Sequence, residues 1–241
     1  MRNLHKAYYK DYFKNLSFKY LLDKSEEPKT EIKRRNRDLT APNLQQEIPN
    51  NSLVNKSFEL KIAYPGLITG IGINHEAKIE GEFKLGVHFD WTYGMPVVYG
   101  SSVKGVLRSY FKEFYSPKDG QPSAEDAIDD IFNGGKKSIY DRDIFFDAVI
   151  TKADLKGRIL CSDSITPHND NPLKNPIPIT FLKIAPGCVL QFRFKLVDTK
   201  IGNKELKKED KLNLFKEILT TIGIGAKTNV GYGQLKEDKN K

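Results

Sequence analysis

The chain has 241 residues, with 39 Lys and Arg against 31 Asp and Glu, four histidines and two cysteines, for a formal charge of +8 at pH 7 and a pI near 9.2. That length can bury the core of one decorated domain, and the basic excess favours a polyanionic partner, nucleic acid first. Cys161 and Cys188 have no Cys-x-x-Cys spacing, no apolar run is long enough to span a bilayer, and the first residues do not read as a signal peptide, so a disulfide scaffold, a zinc finger and a membrane partner are excluded and a cytoplasmic protein is expected.

Leu4, Tyr8, Tyr12 or Phe13, Leu16 and Tyr20 recur at helical spacing between lysines, which predicts an amphipathic helix over Leu4–Leu22 whose aromatic stripe is a packing face. Ser25 to Asn51 is polar, interrupted by Pro28, Pro42 and Pro49, and carries the basic run Lys33-Arg34-Arg35-Asn36-Arg37, so a mobile segment is expected there. Residues 1–55 thus form an N-terminal extension, and 56–241 the main domain. Ser57 to Tyr64 alternates apolar and polar residues before Pro65-Gly66, as a first core strand should. The glycine-punctuated stretch to Phe89 predicts irregular strands or a projecting hairpin.

A helix is expected from Gly100 to Phe114, with Ser101 or Ser102 as N-cap and Val103, Leu107, Tyr110, Phe111 and Phe114 facing the core. Lys104, Arg108 and Lys112 then fall four residues apart on a neighbouring face, and Lys104 beside the capping serines makes an anion site at the helix start. A short acidic helix over Glu125–Phe132, ending at Gly134-Gly135, comes next. Strands follow at Ile144–Ile150, Arg158–Asp163, Thr180–Ile184 and Val189–Val197, with a proline-rich loop from Pro167 to Pro178 between the second and third. In the last strand Leu190, Phe192, Phe194 and Leu196 alternate with Gln191, Arg193 and Lys195.

Lys211 to Ile222 reads as a helix with Leu212, Phe215, Leu219 and Ile222 on one face. It leads into Gly223-Ile224-Gly225-Ala226-Lys227-Thr228-Asn229-Val230-Gly231-Tyr232-Gly233 and a short final strand. Glycines at this density let a ligand reach main-chain N–H groups, and Lys227, Thr228 and Asn229 add a cation and hydrogen-bonding side chains, which suits phosphate. The run is not a nucleotide-hydrolase P-loop, because Ala226 stands where that motif needs glycine and the loop follows a helix instead of preceding one. Since a helix C-terminus repels anions, the loop's own amides and Lys227 must do the binding.

The predicted order is strand, helix, strands, helix, strand. It gives an α+β class, a ferredoxin-like or RRM-like βαββαβ domain with insertions and an N-terminal helical extension. The strict RNP consensus of RNA-binding RRM sheets is missing.

Three runs, Tyr99–Arg108, Asp163–His168 before Pro176–Leu182, and Ile222–Gly233, resemble the RAMP superfamily of CRISPR-associated proteins, and within it the subunits of Cmr-type (type III-B) effector complexes. The likeness spans about residues 86 to 235; the basic run at 33–37 has no counterpart in it. It implies an RRM-like backbone subunit near the end that holds the 3′ part of the guide RNA, stacked on other RAMP subunits and facing the guide and its target RNA duplex, with no cofactor. Carried onto this sequence, it implies RNA contacts at Ser101, Ser102, Lys104, Arg108, Gly223, Gly225, Lys227, Thr228 and Asn229.

The rival reading is an enzyme, since other RAMP relatives process guide precursors as metal-independent endoribonucleases, which requires a general acid and base. Of the four histidines, His5 and His75 have settings that need no catalyst. His88, beside Asp90 and Trp91, and His168, with Asp163 and Asp170 nearby, are the candidates, and a structural role is expected for both. Asp163, His168 and Asp170 also offer metal ligands, but hard and mixed donors scattered over a Pro-Asn loop are a weak signal, and no metal site is expected.

Overall fold

A computed structural model describes residues 3–16, 26–41, 48, 50–70, 79–84, 86–135, 137–166 and 178–238. His75, His168, Asp170 and the loop from Pro167 to Ile177 lie outside the described residues, as does the stretch 17–25 that the first predicted helix was to cross.

The core is an antiparallel sheet. Strand β1 (Lys56–Ile62) pairs with β8 (Val189–Lys195), placing Lys56 opposite Phe194 and Lys61 opposite Val189. On its other side β1 pairs with β11 (Leu235–Lys236), Ile62 against Leu235. Beyond β8 come β5 (Ala148–Lys152), β3 (Pro96–Val98) and β2 (His88–Phe89), for the order β11-β1-β8-β5-β3-β2. The predicted strand over Ile144–Ile150 is broken in two: β4 (Ile144–Phe145) pairs with the end of β8, and the chain steps sideways at Phe146 and Asp147 before β5. Strands β6 (Leu160–Ile165) and β7 (Ile179–Ile184) form their own antiparallel pair, and β9 (Thr199–Ile201) and β10 (Lys204–Leu206) a small hairpin that the sequence reading missed.

Helix α3 (Gly100–Phe114) and helix α5 (Lys208–Ile222) occupy the connections β3 to β4 and β10 to β11 and pack on each other. Phe215 of α5 is fully buried among Phe132, Phe145 and Phe194, with centroid separations of 5.6–6.2 Å, and Phe111 of α3 meets Phe132 at 5.6 Å. Clustered aromatic rings of this size supply much of the apolar area that the core removes from water. The acidic helix α4 (Ala124–Ile128) is capped by Ser123, continues as a wider π turn through Asn133 and stops at Gly134, as predicted.

The N-terminal extension differs from its expectation. Helix α1 (Leu4–Lys6) widens into a π turn at Ala7–Asp11 and the chain bends at once, so no long helix forms over the described part. The aromatic stripe is a packing face all the same. Tyr8 and Tyr12 are buried, and Tyr8 Oη donates to the Phe83 carbonyl at 2.8 Å. The stretch read as mobile contains helix α2 (Glu26–Leu39), because Ile32 and Leu39 insert into the main core while Glu31 pairs with Arg34 at 2.7 Å and Arg35 at 2.7 Å. Polar composition hid two buried anchors at i and i+7. The cluster Lys33–Arg37 therefore winds around an ordered helix, with Arg35 donating to the carbonyls of Asp11, Tyr12 and Lys14.

Candidate nucleic-acid interface

The glycine loop is built on backbone crossings that tolerate no side chain. Gly223 ends α5 with its N–H on the Leu219 carbonyl at 3.1 Å, and Ile224 N–H donates to Gly233 O at 2.9 Å. Gly233 N–H in turn reaches Gly66 O at 2.8 Å, and Ala226 N–H reaches Ile68 O at 2.8 Å. Both Gly225 and Gly233 have positive φ, and a Cβ at either would overlap a carbonyl oxygen, of Ile68 and Ile224 respectively. Gly223 and Gly225 are thus present first for packing.

From this base the tip projects. Lys227 is left-handed at φ 60°, followed by a single 3-10 turn at Thr228–Val230. Among the described residues the N–H groups of Lys227, Thr228 and Asn229 find no acceptor in the chain, and Lys227 makes no ion pair. Lys227 and Asn229 are exposed and Thr228 half-buried. Such a cluster of amides beside an exposed cation is a donor surface suited to an anionic oxygen.

The sequence reading overlooked what fixes this tip. Tyr232 Oη donates to Asp163 Oδ2 at 2.7 Å, and Lys183 Nζ meets the same oxygen at 2.5 Å while lying 5.4 Å from the Tyr232 ring centre. Burial works against the Asp163 charge, but hydrogen bonds from Lys183 and Tyr232 hold its carboxyl below the usual range. Burial and that carboxylate push the Tyr232 phenol up. A lysine inside the apolar run Phe181-Leu182-Lys183-Ile184 was the available signal, because a buried cation needs a partner.

Helix α3 begins one residue before the expected caps. Tyr99 is the N-cap, and the first N–H, from Gly100, is taken by Asp147 Oδ1 at 2.7 Å; Ser101 and Ser102 are not the caps. The carboxylate of Asp147 therefore fills part of the predicted anion site. Lys104 is half-buried with Nζ 6.0 Å from the Phe145 ring centre, Arg108 is exposed, and Lys112 pairs with Glu125 at 2.7 Å.

Among the described residues no hydrogen bond or ion pair joins the anion site predicted at the start of α3 to the glycine loop. Asp147 and Phe145 lie where β1 begins, since Phe145 is opposite Phe194 and Phe194 opposite Lys56. The glycine loop is tied to Gly66 and Ile68, past Ile62, where β1 finishes. Along β1, seven residues separate Asp147 and Phe145 from the Gly66 anchor by about 20 Å at roughly 3.3 Å per residue, while Thr69, next to Ile68, accepts His88 N–H on Oγ1 at 2.6 Å and His88 stacks on Tyr99.

His88 stacks on Tyr99 at 4.5 Å and 17°, its Nδ1 is buried with no hydrogen-bond partner among the described residues, and burial lowers its pKa. Asp163, weighed above as a ligand, is committed to Lys183 and Tyr232.

A family model, the RAMP superfamily, matches residues 59–236. The chain belongs to the RAMP superfamily. The match takes in β1, helix α3 and the glycine loop, the RAMP elements assembled above. A curated relative, the CRISPR system CMR subunit Cmr6 of Saccharolobus solfataricus strain P2, is 29% identical over 164 residues, which cover 65% of this chain and 50% of that protein. This RAMP chain therefore spans about half the length of the curated relative it matches. A chain of the Type III-B Cmr-β complex, solved by cryo-EM bound to cognate target RNA, superposes with a TM-score of 0.53 at 24% identity, covering 76% of this chain and 58% of that one. The crystal structure of Cmr6 from Pyrococcus furiosus gives a TM-score of 0.40 at 20% identity, over 78% of this chain and 99% of that one. Among the described residues no helix is long and apolar enough to cross a membrane.

Proposed function

We propose that this RAMP protein is a guide-RNA-binding backbone subunit of a cytoplasmic type III-B (Cmr) CRISPR effector, contacting the 3′ region of the guide and leaving cleavage to other components. The observation that carries this reading is the glycine-loop tip: three amides and Lys227 without a partner among the described residues, at an exposed turn of a chain whose curated relative is a Cmr subunit. Its partners are the guide, the target RNA paired with it, and neighbouring RAMP subunits. Contacts of this kind hold phosphates and leave sequence recognition to base pairing. Lys104 and Arg108 make a second contact of this kind.

Three connections support a ferredoxin-like assignment for the centre of the fold. The sequence β1-α3-β5-β8-α5-β11, with antiparallel order β11-β1-β8-β5, is that of a βαββαβ unit into which the other strands are inserted. The non-catalytic part of the reading is supported by His88, whose half-buried ring stacks on Tyr99 and whose buried Nδ1 makes no hydrogen bond among the described residues.

The test is guide binding by the assembled complex across a salt series, for the native chain and for Lys227→Ala. Phosphate contact gives affinity that falls steeply with salt and a weaker, flatter dependence in the variant; identical curves would remove the loop from the RNA surface. Incubating the purified protein with guide precursor and target RNA tests the rest. Cleavage lost in His88→Ala or His168→Ala would make the chain an endoribonuclease.

A further inference from the structure

The chain's single tryptophan is not in its core. Trp91 is 76% exposed on the turn between β2 and β3. Indoles are usually well buried, so an open one on a well-held turn calls for a reason. The turn is firmly built: Asp90 Oδ1 accepts the N–H groups of Thr92 at 2.7 Å and Tyr93 at 2.9 Å, Asp90 N–H donates to Met95 O at 2.8 Å, and Gly94 N–H donates to Asp90 O at 3.0 Å.

The N-terminal segment backs the indole. His5 N–H donates to Gly94 O at 3.1 Å, and the His5 ring lies 4.5 Å from both Trp91 and Tyr9, tilted against each. The Tyr9 ring is nearly parallel to Trp91, at 10°. His5 Nε2 is buried and makes no hydrogen bond among the described residues, so the imidazole serves the stack and not a polar network. Lys6 and Lys10, on the same segment, are exposed and form no ion pair among the described residues. A held aromatic face, with exposed cations next in sequence to its two backing residues, complements a planar base between two phosphates.

The register places this face usefully. Val97 is opposite Val149 and Val98 opposite Ala148, so the chain before Pro96 runs toward Lys152, which is opposite Val189. The Asp90–Gly94 turn therefore leaves the sheet at the same end as the glycine loop, and the segment that anchors the loop reaches β2, where Thr69 Oγ1 accepts His88 N–H at 2.6 Å.

We propose that Trp91, backed by His5 and Tyr9 with Lys6 and Lys10 next to them in sequence, is a stacking platform for a base of single-stranded RNA. The platform takes its ligand class from the RNA-binding function proposed above but uses none of the same residues. It is sequence-tolerant, because every base has a π face.

Two readouts on the full chain separate the two ideas. Anisotropy of an end-labelled oligouridylate reports RNA binding as such, and the emission of Trp91 reports stacking. The platform requires that the oligouridylate quench Trp91, that an abasic oligomer of equal length not do so, that quenching persist in Lys227→Ala, and that Trp91→Ala bind about tenfold more weakly while Trp91→Phe keeps most of the affinity. Binding seen by anisotropy with unchanged Trp91 emission, or native affinity in Trp91→Ala, overturns the platform alone and assigns the aromatic face to a protein neighbour. Absence of binding by anisotropy overturns the platform and counts against the RNA-binding function too.

Discussion

Tyr232, the penultimate residue of the glycine loop, donates its hydroxyl at 2.7 Å to Asp163 on β6, 69 residues earlier by chain and on a separate pair of strands. This bond, with Lys183 on the same carboxylate oxygen, ties the loop to the β6–β7 hairpin. Tyr232→Phe should cost about 1 kcal/mol, since a hydrogen bond to a charged, partly exposed acceptor is lost. Calorimetry should record a melting temperature about 2–4 °C lower. Because the Asp163 carboxyl is depressed, the contribution of the bond is present above pH 3.8 and fades as pH falls through the folded-state value, so native and variant melts should converge in acid.

The salt dependence of RNA binding has a predictable slope. Each phosphate neutralised on a single strand contributes about 0.7 to the slope of log affinity against log salt. Lys227→Ala should reduce the slope by about that amount, and Lys227→Ala with Lys104→Ala by about twice it. A double variant no worse than either single one would mean that only one of the two sites meets RNA.

Lys211 and Asp143 form a buried ion pair at 2.6 Å with side chains 0% and 1% exposed. Lys211 also donates to Val197 O at 2.8 Å, and Val197 N–H donates to Asp143 at 2.8 Å, so the pair pins the start of α5 to the end of β8. Burial pushes the Asp143 carboxyl up and the Lys211 amine down. Lys211→Met should lower stability by about 3–5 kcal/mol in denaturant titration, because it strands a carboxylate in the core. Adding Asp143→Leu should recover part of that loss; no recovery would mean that the geometry of the pair, and not the orphaned charge, is what matters.

Helix α2 should loosen in acid. Arg34 and Arg35 hydrogen bonds hold Glu31 down to about 2 from its ordinary 4.5. A depressed carboxyl stabilises above its unfolded pKa and loses that stabilisation as pH falls, here between about 4.5 and 2. Glu31 is largely solvated, so screening limits the effect to about 0.5–1 kcal/mol. Proteolysis of α2 across that range should accelerate in the native chain and be nearly flat in Glu31→Gln.

Two glycines should respond in opposite ways. Gly105 lies exposed in α3 with open space where a Cβ would go, so Gly105→Ala should stabilise the fold by about 0.5–1 kcal/mol. If RNA approaches α3 closely beside Lys104, the same methyl group should weaken guide binding while raising the melting temperature. Gly233→Ala would overlap the Ile224 carbonyl, and should unseat the loop and abolish binding.

Local pattern carried much of the fold. The alternation in Val189–Lys195 and in Lys56–Ile62 identified the two central strands, and the spacing of Phe111 and Leu107, or Phe215 and Leu219, identified the two main helices. Reading α2 as mobile failed for a physical reason: Ile32 and Leu39 are only two apolar residues in fourteen, and their value depends on a groove that exists only once Tyr8, Tyr12 and Phe83 are in place. The cap of α3 failed similarly, because Ser101 and Ser102 were judged by nearness in sequence, whereas Asp147 arrives from the break between β4 and β5, forty-seven residues away.

The sequence by itself determined the loop's chemistry. Glycines at 223, 225, 231 and 233 around Lys227, Thr228 and Asn229 require a backbone-lined turn with a cation at its tip, since conformational freedom and side-chain charge are local properties. Only the tertiary structure decided which of those amides stay unpaired, that Asp163 and Lys183 brace the loop through Tyr232, and that Asp147, which holds the start of α3, lies about 20 Å from the Gly66 anchor along β1. Those outcomes depend on strand register, which is set by the burial of distant residues against one another and is written in no short stretch of the chain.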